Sequence, residues 1–583
     1  MSNQRITIQI AGESGQGINS IGEAIAKAFK KVGLHTFGYR EYPSLIRGGY
    51  ALYQLEASHE PVSAPCRKSD LLVCLSRLSF HQYYFRLNQG GTIIHSVPRL
   101  DIKPNEQKWL TEQDINVVYV NAPKLAEESG GKRLMSNTVF VGVLWSLFKL
   151  PIEVTEEVIR EIFAHKPHYI DINIACLNTG YQQQVEIDQR ISLQATNDES
   201  VKKGYLLSGN HALALGAVAA GVRAYYAYPM TPSSSILSYL AEIQHETGMI
   251  VKQVDDEISA AQTAIGSMFM GTRALTGTSG GGFDLMTESV SLVGITETPF
   301  VCVLAQRPGP ATGLPTWTSA ADLLLAVYGG HGEFPRIVVA ASNAESAFLV
   351  IQEAFNLAEQ FQTAVIVLTE KQIAESIFLV SKFPDSPPIN RYLATNFDEL
   401  KPSDRFKITD TGVSPRWLPG QSDATYVANS DEHLEDGSLT EDAQPSKDMY
   451  DKRLRKMNGI MEALPEPVLY GSPESATTFV GWGSVKTTIL DAMQAFAGKE
   501  TAAPFNYLHY EYVYPLKTQY LKKIIEENKR LILVENNATG QLGTLITEAT
   551  GYQFKEKFLK YDGRPFFVEE VITFAGNLEK GTN

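Results

Sequence analysis

Cysteine is scarce in this sequence: four residues in 583, Cys66, Cys74, Cys176 and Cys302, with no C-x-x-C pair and no histidine at zinc-finger spacing. No metal site can be read from that scatter. It also excludes an iron–sulfur cluster held by this chain alone, because such clusters need grouped thiolates. Scattered thiols fit a reducing cytoplasm. Positive charge is short as well: 51 basic residues against 65 acidic ones leave a net charge of −14. No basic stripe offers itself to nucleic acid. Long apolar runs are missing too. The run 212–222 stops at Arg223, short of the ~18 residues that suggest a membrane span. The first ten residues pass into strand-like alternation without the regions of a signal peptide, so a cytoplasmic protein is expected.

What is present is ordinary globular composition, 44% apolar and 20% charged, in a chain long enough for several domains. Strand-like runs at 5–11, 35–39, 71–75, 91–95 and 117–120 alternate with helical patterns, and Ile18, Ile21, Ile25, Phe29 and Val32 lie at helical spacing. This predicts a parallel α/β domain over 1–190. A second alternating region, 204–395, carries strands at 224–228, 274–278, 300–304 and 364–368. Residues 396–475 are richer in proline and polar side chains, with eight acids and one lysine between 421 and 450. They read as a surface crossing anchored by Phe406, Trp417, Leu418 and Tyr426. Strands at 477–484 and 530–535 begin a third α/β domain, 476–583.

Two glycine-bearing loops stand out. Gly12-Glu-Ser14-Gly15-Gln16-Gly17 lies between a strand and a helix, where free backbone N–H groups attract phosphate. Its order is not that of a dinucleotide loop, and no Walker lysine follows. Arg47 in Arg-Gly-Gly could add positive charge to the same ligand. In the second region, Tyr228-Pro229-Met-Thr231-Pro-Ser-Ser-Ser235, Asp255-Asp-Glu257, Thr276 to Met286 and Gln306-Arg307-Pro-Gly-Pro310 all follow strands. Loops at one edge of a parallel sheet share a crevice, so Thr231, Glu257, the 280–282 glycines and Arg307 should converge. The bland alternatives are helix caps for the hydroxyls, dipole partners for the acids and a surface salt bridge for Arg307.

These strings, in this order, resemble the alpha subunit of the 2-oxoacid:ferredoxin oxidoreductases with the family's gamma domain fused in front. The match includes 11–17, 47–49, 228–234, Glu257, 278–280, 306–310 and Ser414-Pro-Arg-Trp-Leu-Pro-Gly420. The resemblance implies an α/β chain of three parallel-sheet domains. These are a gamma, coenzyme A-associated domain, a thiamine diphosphate pyrimidine-binding domain and a transketolase C-terminal-like domain.

It further implies a role for each residue. Spacing alone leaves Asp255, Asp256 and Glu257 open. The family pattern, with Gly266 nine positions later, selects Glu257 as the carboxylate on the pyrimidine N1′. There it stabilises the imino tautomer that takes the proton from the thiazolium C2. Thr231 and Arg307 match residues that hold the 2-oxoacid, and Pro229 matches a cofactor contact. Gly12, Ser14, Gly15, Gln16, Gly17 and Arg47 match the coenzyme A-associated part. No G-D-G motif for magnesium and diphosphate is found. The resemblance therefore puts Mg2+ and the diphosphate half of the cofactor on a beta subunit, together with a [4Fe–4S] cluster, in an (alpha–beta)2 assembly that reduces ferredoxin. The chain alone should be inactive.

The expected reaction is oxidative decarboxylation of a 2-oxoacid with coenzyme A to acyl-CoA and CO2, its physiological direction open. The gamma–alpha fusion resembles the 2-oxoglutarate synthase type, with pyruvate or a broad 2-oxoacid range next. Trp317 stands where the family pattern leads one to expect a polar or charged residue. Two other readings are a non-redox thiamine lyase and a regulatory subunit that binds coenzyme A or a nucleotide. Clustered cysteines and G-D-G in a partner chain would separate them from the oxidoreductase.

Overall fold

The computed structural model describes residues 5–45, 49–183, 185, 193–497, 503–527 and 529–579. Six strands come from the front of the chain: β1 (Ile6–Glu13), β2 (His35–Glu41), β3 (Tyr50–Ser58), β4 (Ser69–Cys74), β5 (Leu87–His95) and β6 (Asn116–Tyr119). The middle supplies β7 (Tyr205–Ser208), β8 (Ala224–Ala227), β9 (Ile250–Gln253), β10 (Ala274–Thr278), β11 (Phe300–Gln306), β12 (Arg336–Ala340), β13 (Ala364–Glu370) and β14 (Ile377–Val380). The last part adds β15 (Val468–Tyr470), β16 (Thr477–Trp482), β17 (Asn506–Tyr510), β18 (Tyr512–Tyr514), β19 (Arg530–Glu535) and β20 (Glu556–Leu559). They form three sheets with helices between strands, one mixed and two largely parallel, the α/β class that the sequence predicts.

The first sheet runs β6-β5-β4-β1-β3-β2-β14-β7. It is parallel from β6 to β1 and antiparallel beyond, a mixture the sequence reading did not contain. The reason is local. Only residues 42–49 join β2 to β3, too few for the crossover helix that a parallel pair requires. Strand β3 itself escapes pattern reading because Ala, Leu, Gln and Glu dominate it. Its polar side chains are nonetheless buried and paired: Gln9 Nε2 donates to Gln54 Oε1 at 2.8 Å, and Thr7 Oγ1 donates to Glu56 Oε2 at 2.6 Å.

The second sheet, β18-β12-β13-β11-β10-β8-β9, is parallel except at β18. Every residue of β11 and β13 is buried, as befits central strands covered on both faces. The third sheet is β15-β17-β16-β19-β20. The segments interlock through shared sheets: β7 and β14 extend the first, and β18 extends the second.

The crossing is anchored as expected by Phe406 and Trp417, both buried. It also contains a 21-residue helix, Ala443–Ala463, that no apolar period announces. The buried positions Met449, Lys452, Arg453, Lys456 and Ile460 do follow helical spacing, but the stripe is mostly basic. Glu297 receives it: Lys452 Nζ and Lys456 Nζ each lie 2.5 Å from its carboxylate, and the side chains are essentially inaccessible. Burial alone would raise the Glu297 carboxyl; the two ammonium groups and Arg405 overcome that and hold it well below the usual carboxylate range. Arg416 of the 414–420 string is likewise buried, on Glu359 at 3.3 Å.

Candidate functional site

The loops after β8, β9, β10 and β11 emerge from one edge of the second sheet. Strand β9 leads to the three acids, and the structure gives each a different setting. Asp255 is exposed. Asp256 is the N-cap of the helix Glu257–Phe269, its Oδ1 accepting from Ser259 N at 2.7 Å. Glu257, the first helical residue, is 4% exposed, and its Oε1 has no hydrogen-bond partner among the described residues.

An unpartnered buried carboxylate oxygen is costly unless a ligand group completes it. Its surroundings are built for close approach. A Cβ on Gly282 would lie 2.7 Å from Glu257 Oε1 and would collide with Thr278 Oγ1. Thr278 in turn reaches the 228–235 loop, its hydroxyl 3.8 Å from Met230 Sδ. A free, buried carboxylate oxygen beside a glycine helix start fits the protonated ring nitrogen of an aminopyrimidine.

Arg307 follows β11 and donates from Nη1 to the carbonyl of Thr231 at 2.8 Å. The two predicted substrate residues therefore meet. Arg307 is half-buried, and Asp322 is the charged neighbour that most opposes the loss of solvation. Asp322 carries no motif in the sequence, following Ala320-Ala321 in a loop. Its backbone N–H donates to Gln306 Oε1 at 2.9 Å. Pro229 is exposed.

The glycine turn after β1 lies elsewhere. Gln16 folds back on it, Oε1 accepting from Glu13 N at 2.9 Å. Gly17 has φ 80° at the start of the helix Ile18–Lys31, and a Cβ there would strike Asn137. Ser14, Gly15 and Gly17 line a cavity of about 570 Å3 that Ser234 and Ser235 close from the second segment, with Arg40, Tyr42, His211 and Glu375 between. A second cavity, about 590 Å3, opens on the other side of the turn beneath Lys132, Leu134, Phe163 and Lys166. Glu257, Thr231 and Arg307 line neither cavity. Arg47 lies outside the described residues.

The loop from Arg307 closes on itself, Leu314 N donating to Pro308 O at 3.0 Å, and docks on the C-terminal segment through Thr318 N and Gly563 O at 3.1 Å. At its end Trp317 is half-buried under Arg564. Sequence reasoning missed Arg564 because it is remote in the chain and belongs to no motif.

Comparison with known proteins agrees with this architecture. Residues 215–452 match the family "Pyruvate flavodoxin/ferredoxin oxidoreductase, thiamine diP-binding", and residues 7–183 match "Pyruvate ferredoxin/flavodoxin oxidoreductase". The chain is 30% identical to the 2-oxoacid:ferredoxin oxidoreductase subunit alpha of a Sulfolobus species, over 97% of this chain and 96% of the relative. It is 25% identical to the 2-oxoglutarate oxidoreductase subunit KorA of Mycobacterium tuberculosis, over 93% and 87%. A solved 2-oxoglutarate:ferredoxin oxidoreductase from Magnetococcus marinus, with 2-oxoglutarate, coenzyme A and succinyl-CoA bound, superposes with a TM-score of 0.90, 26% identity and full coverage of both chains.

Fold and matches together define an α/β oxidoreductase subunit with a thiamine diphosphate-binding domain. The chain belongs to the alpha subunits of the 2-oxoacid:ferredoxin oxidoreductases, which makes it one part of a heteromeric enzyme. Among the described residues no helix is long and apolar enough to cross a membrane.

Proposed function

We propose that this chain is the alpha subunit of a cytoplasmic 2-oxoglutarate:ferredoxin oxidoreductase, converting 2-oxoglutarate and coenzyme A to succinyl-CoA and CO2 while ferredoxin is reduced. The observation that carries the reading is the buried, unpartnered Oε1 of Glu257 against Gly282. Glu257 holds the N1′ proton of the pyrimidine there, and Pro229 borders the cofactor. Thiamine diphosphate, when bound, supplies the nucleophilic carbon for the 2-oxo group and the electron sink for loss of CO2.

Arg307 forks onto the substrate carboxylate, already steered by its bond to the Thr231 carbonyl, and the Thr231 hydroxyl orients the 2-oxo group. Gly12, Ser14, Gly15, Gln16 and Gly17 shape the coenzyme A approach, and Arg47 adds positive charge for the same ligand. A beta subunit completes the site with Mg2+ and the diphosphate grip and carries the [4Fe–4S] cluster, in an (alpha–beta)2 assembly. The 2-oxoglutarate choice is supported by the M. marinus enzyme, similar over the whole chain. A broad 2-oxoacid range is the second reading, favoured by the apolar Trp317 and by relatives named for 2-oxoacids in general. Co-purification with the beta subunit, then acyl-CoA formation measured with 2-oxoglutarate, pyruvate and longer 2-oxoacids, tests both. No thiamine-dependent activity with any of them would overturn the reading.

A further inference from the structure

Glu370 is the last residue of β13, a buried carboxyl group with no task in the reading above. It pairs across the sheet with Gln306, the residue before Arg307. Its side chain then reaches the far end of the same loop: Thr318 Oγ1, one residue past Trp317, donates to Glu370 Oε2 at 2.8 Å. The other oxygen, Oε1, accepts from Ser484 N at 3.0 Å. Gly483 makes that approach possible, since a Cβ there would lie 3.2 Å from Oε1. The glycine turn that follows β16 thus grips the Arg307 loop through one carboxyl group.

No cation lies at ion-pair distance from Glu370 among the described residues. A carboxyl group buried in that way is costly unless fixed donors converge on it, and these two come from distant parts of the chain. Thr318 is held twice more. Its hydroxyl accepts from Gln372 N at 3.2 Å, and its own N–H donates at 3.1 Å to the carbonyl of Gly563, the residue before Arg564. On the other side of Trp317, Thr316 Oγ1 donates to Tyr42 O at 2.7 Å. Both threonines are buried, so the indole between them is pinned on either side under Arg564.

We infer that Glu370 and Thr318 are positioning residues that set the distance between Arg307 and the Trp317–Arg564 pair, and with it the length of 2-oxoacid that the site takes. The inference rests on the reading that Arg307 holds the 2-oxo carboxylate and that Arg564 meets the distal one. Glu370 fixes both ends of the loop to the end of one strand, the first through its pairing with Gln306 and the second through Thr318. A substrate with two carboxylates is held at both ends and depends on that spacing. Pyruvate is held at the Arg307 end alone.

The test is KM and kcat, read separately, for 2-oxoglutarate, pyruvate and 2-oxoadipate in the alpha–beta complex. Thr318→Val keeps the shape of the side chain and removes the donor. It should raise KM for 2-oxoglutarate about fivefold more than KM for pyruvate, the value of one hydrogen bond, and change kcat for the two equally. 2-Oxoadipate, one methylene longer, should gain on 2-oxoglutarate in the same variant. Thr318→Ser should restore the wild-type preference, and Glu370→Gln, which turns an amide N–H toward one of the two donors, should act in the same direction as Thr318→Val. A second readout is independent of turnover. Acrylamide quenching of the Trp317 emission, isolated by subtracting the matching Trp317→Phe protein, should rise in Thr318→Val and return to the wild-type value in Thr318→Ser. Equal KM changes for the three acids, or quenching that Thr318→Val leaves unmoved, overturn the inference. Arg564→Gln separates the two levels: if it shifts the ratio of 2-oxoglutarate to pyruvate while Thr318→Val and Glu370→Gln do not, only the positioning role fails. If Arg564→Gln leaves that ratio unchanged, the placement of the distal carboxylate itself fails.

Discussion

The guanidinium carbon of Arg564 lies 3.2 Å from the ring centroid of Trp317. It has no carboxylate partner at ion-pair distance among the described residues. A tryptophan alone offers a distal carboxylate one N–H, whereas the stacked pair adds a cation on an apolar wall. The loop that begins with Arg307 and ends with Trp317 therefore has a guanidinium at each end, and on the proposed 2-oxoglutarate reading Arg564 would meet the distal carboxylate. Arg564→Gln should lower kcat/KM for 2-oxoglutarate relative to pyruvate by about tenfold, the usual value of a hydrogen bond to a charged group. Trp317→Ala should shift the ratio toward bulkier 2-oxoacids. Ratios that stay constant while stability falls would make the pair a packing contact and leave substrate choice to the other subunit.

Glu257→Gln should preserve the fold and slow thiamine-dependent turnover by at least ~100-fold, the typical contribution of a general acid–base step. Asp255→Asn should do far less, since Asp255 is exposed. Asp256→Ala should cost about 1 kcal/mol of stability through its lost cap and leave the chemistry largely intact. Single-turnover rates with thiamine diphosphate bound decide, and a near-normal Gln variant would falsify the assignment.

Arg307→Lys keeps the charge but loses the planar fork. Its apparent KM for 2-oxoacids should rise by about tenfold or more. Equal performance of Lys would make Arg307 a support for the Thr231 loop only.

The purified single chain should be colourless and free of cluster iron. Cys74, Cys176 and Cys302 are buried on separate elements, and burial pushes the Cys74 thiol up to about 12, so it stays protonated at neutral pH. Iron analysis and visible spectra of the chain alone, against the complex with its beta subunit, check this. Stoichiometric cluster iron in the single chain would contradict it.

Glu297→Gln should destabilise the protein by about 3–5 kcal/mol, because it strands two buried ammonium groups. Thermal unfolding of the purified chain reads this directly. A variant as stable as wild type would mean that Lys452 and Lys456 find water when the carboxylate is gone.

Regular alternation made the sheets legible: β10 and β19 fall on the residues their apolar runs mark. Strand β3 and the helix Ala443–Ala463 were not legible, because each buries polar side chains whose partners, Arg5 and Glu297, lie far off in sequence. The site divides in the same way. Glu257, Thr231 and Arg307 sit in strings that follow strands, and spacing alone could bring them to one edge. What separates Glu257 from Asp255 and Asp256 is burial, a tertiary property. Glu370 and Arg564 have meaning only through what they approach, Thr318 and Trp317.

Strands β2 and β14 are hydrogen-bonded neighbours, with Phe37 opposite Phe378 and their rings 5.4 Å apart. The front of the chain is thus sewn to the middle by backbone bonds as well as by the covalent link between them. A covalent link of this kind adds effective concentration to an interface that already exists. A chain divided between Tyr181 and Glu199 should accordingly give two polypeptides that stay together at ordinary dilution. The same sequence, divided between two reading frames, would still assemble into one continuous sheet.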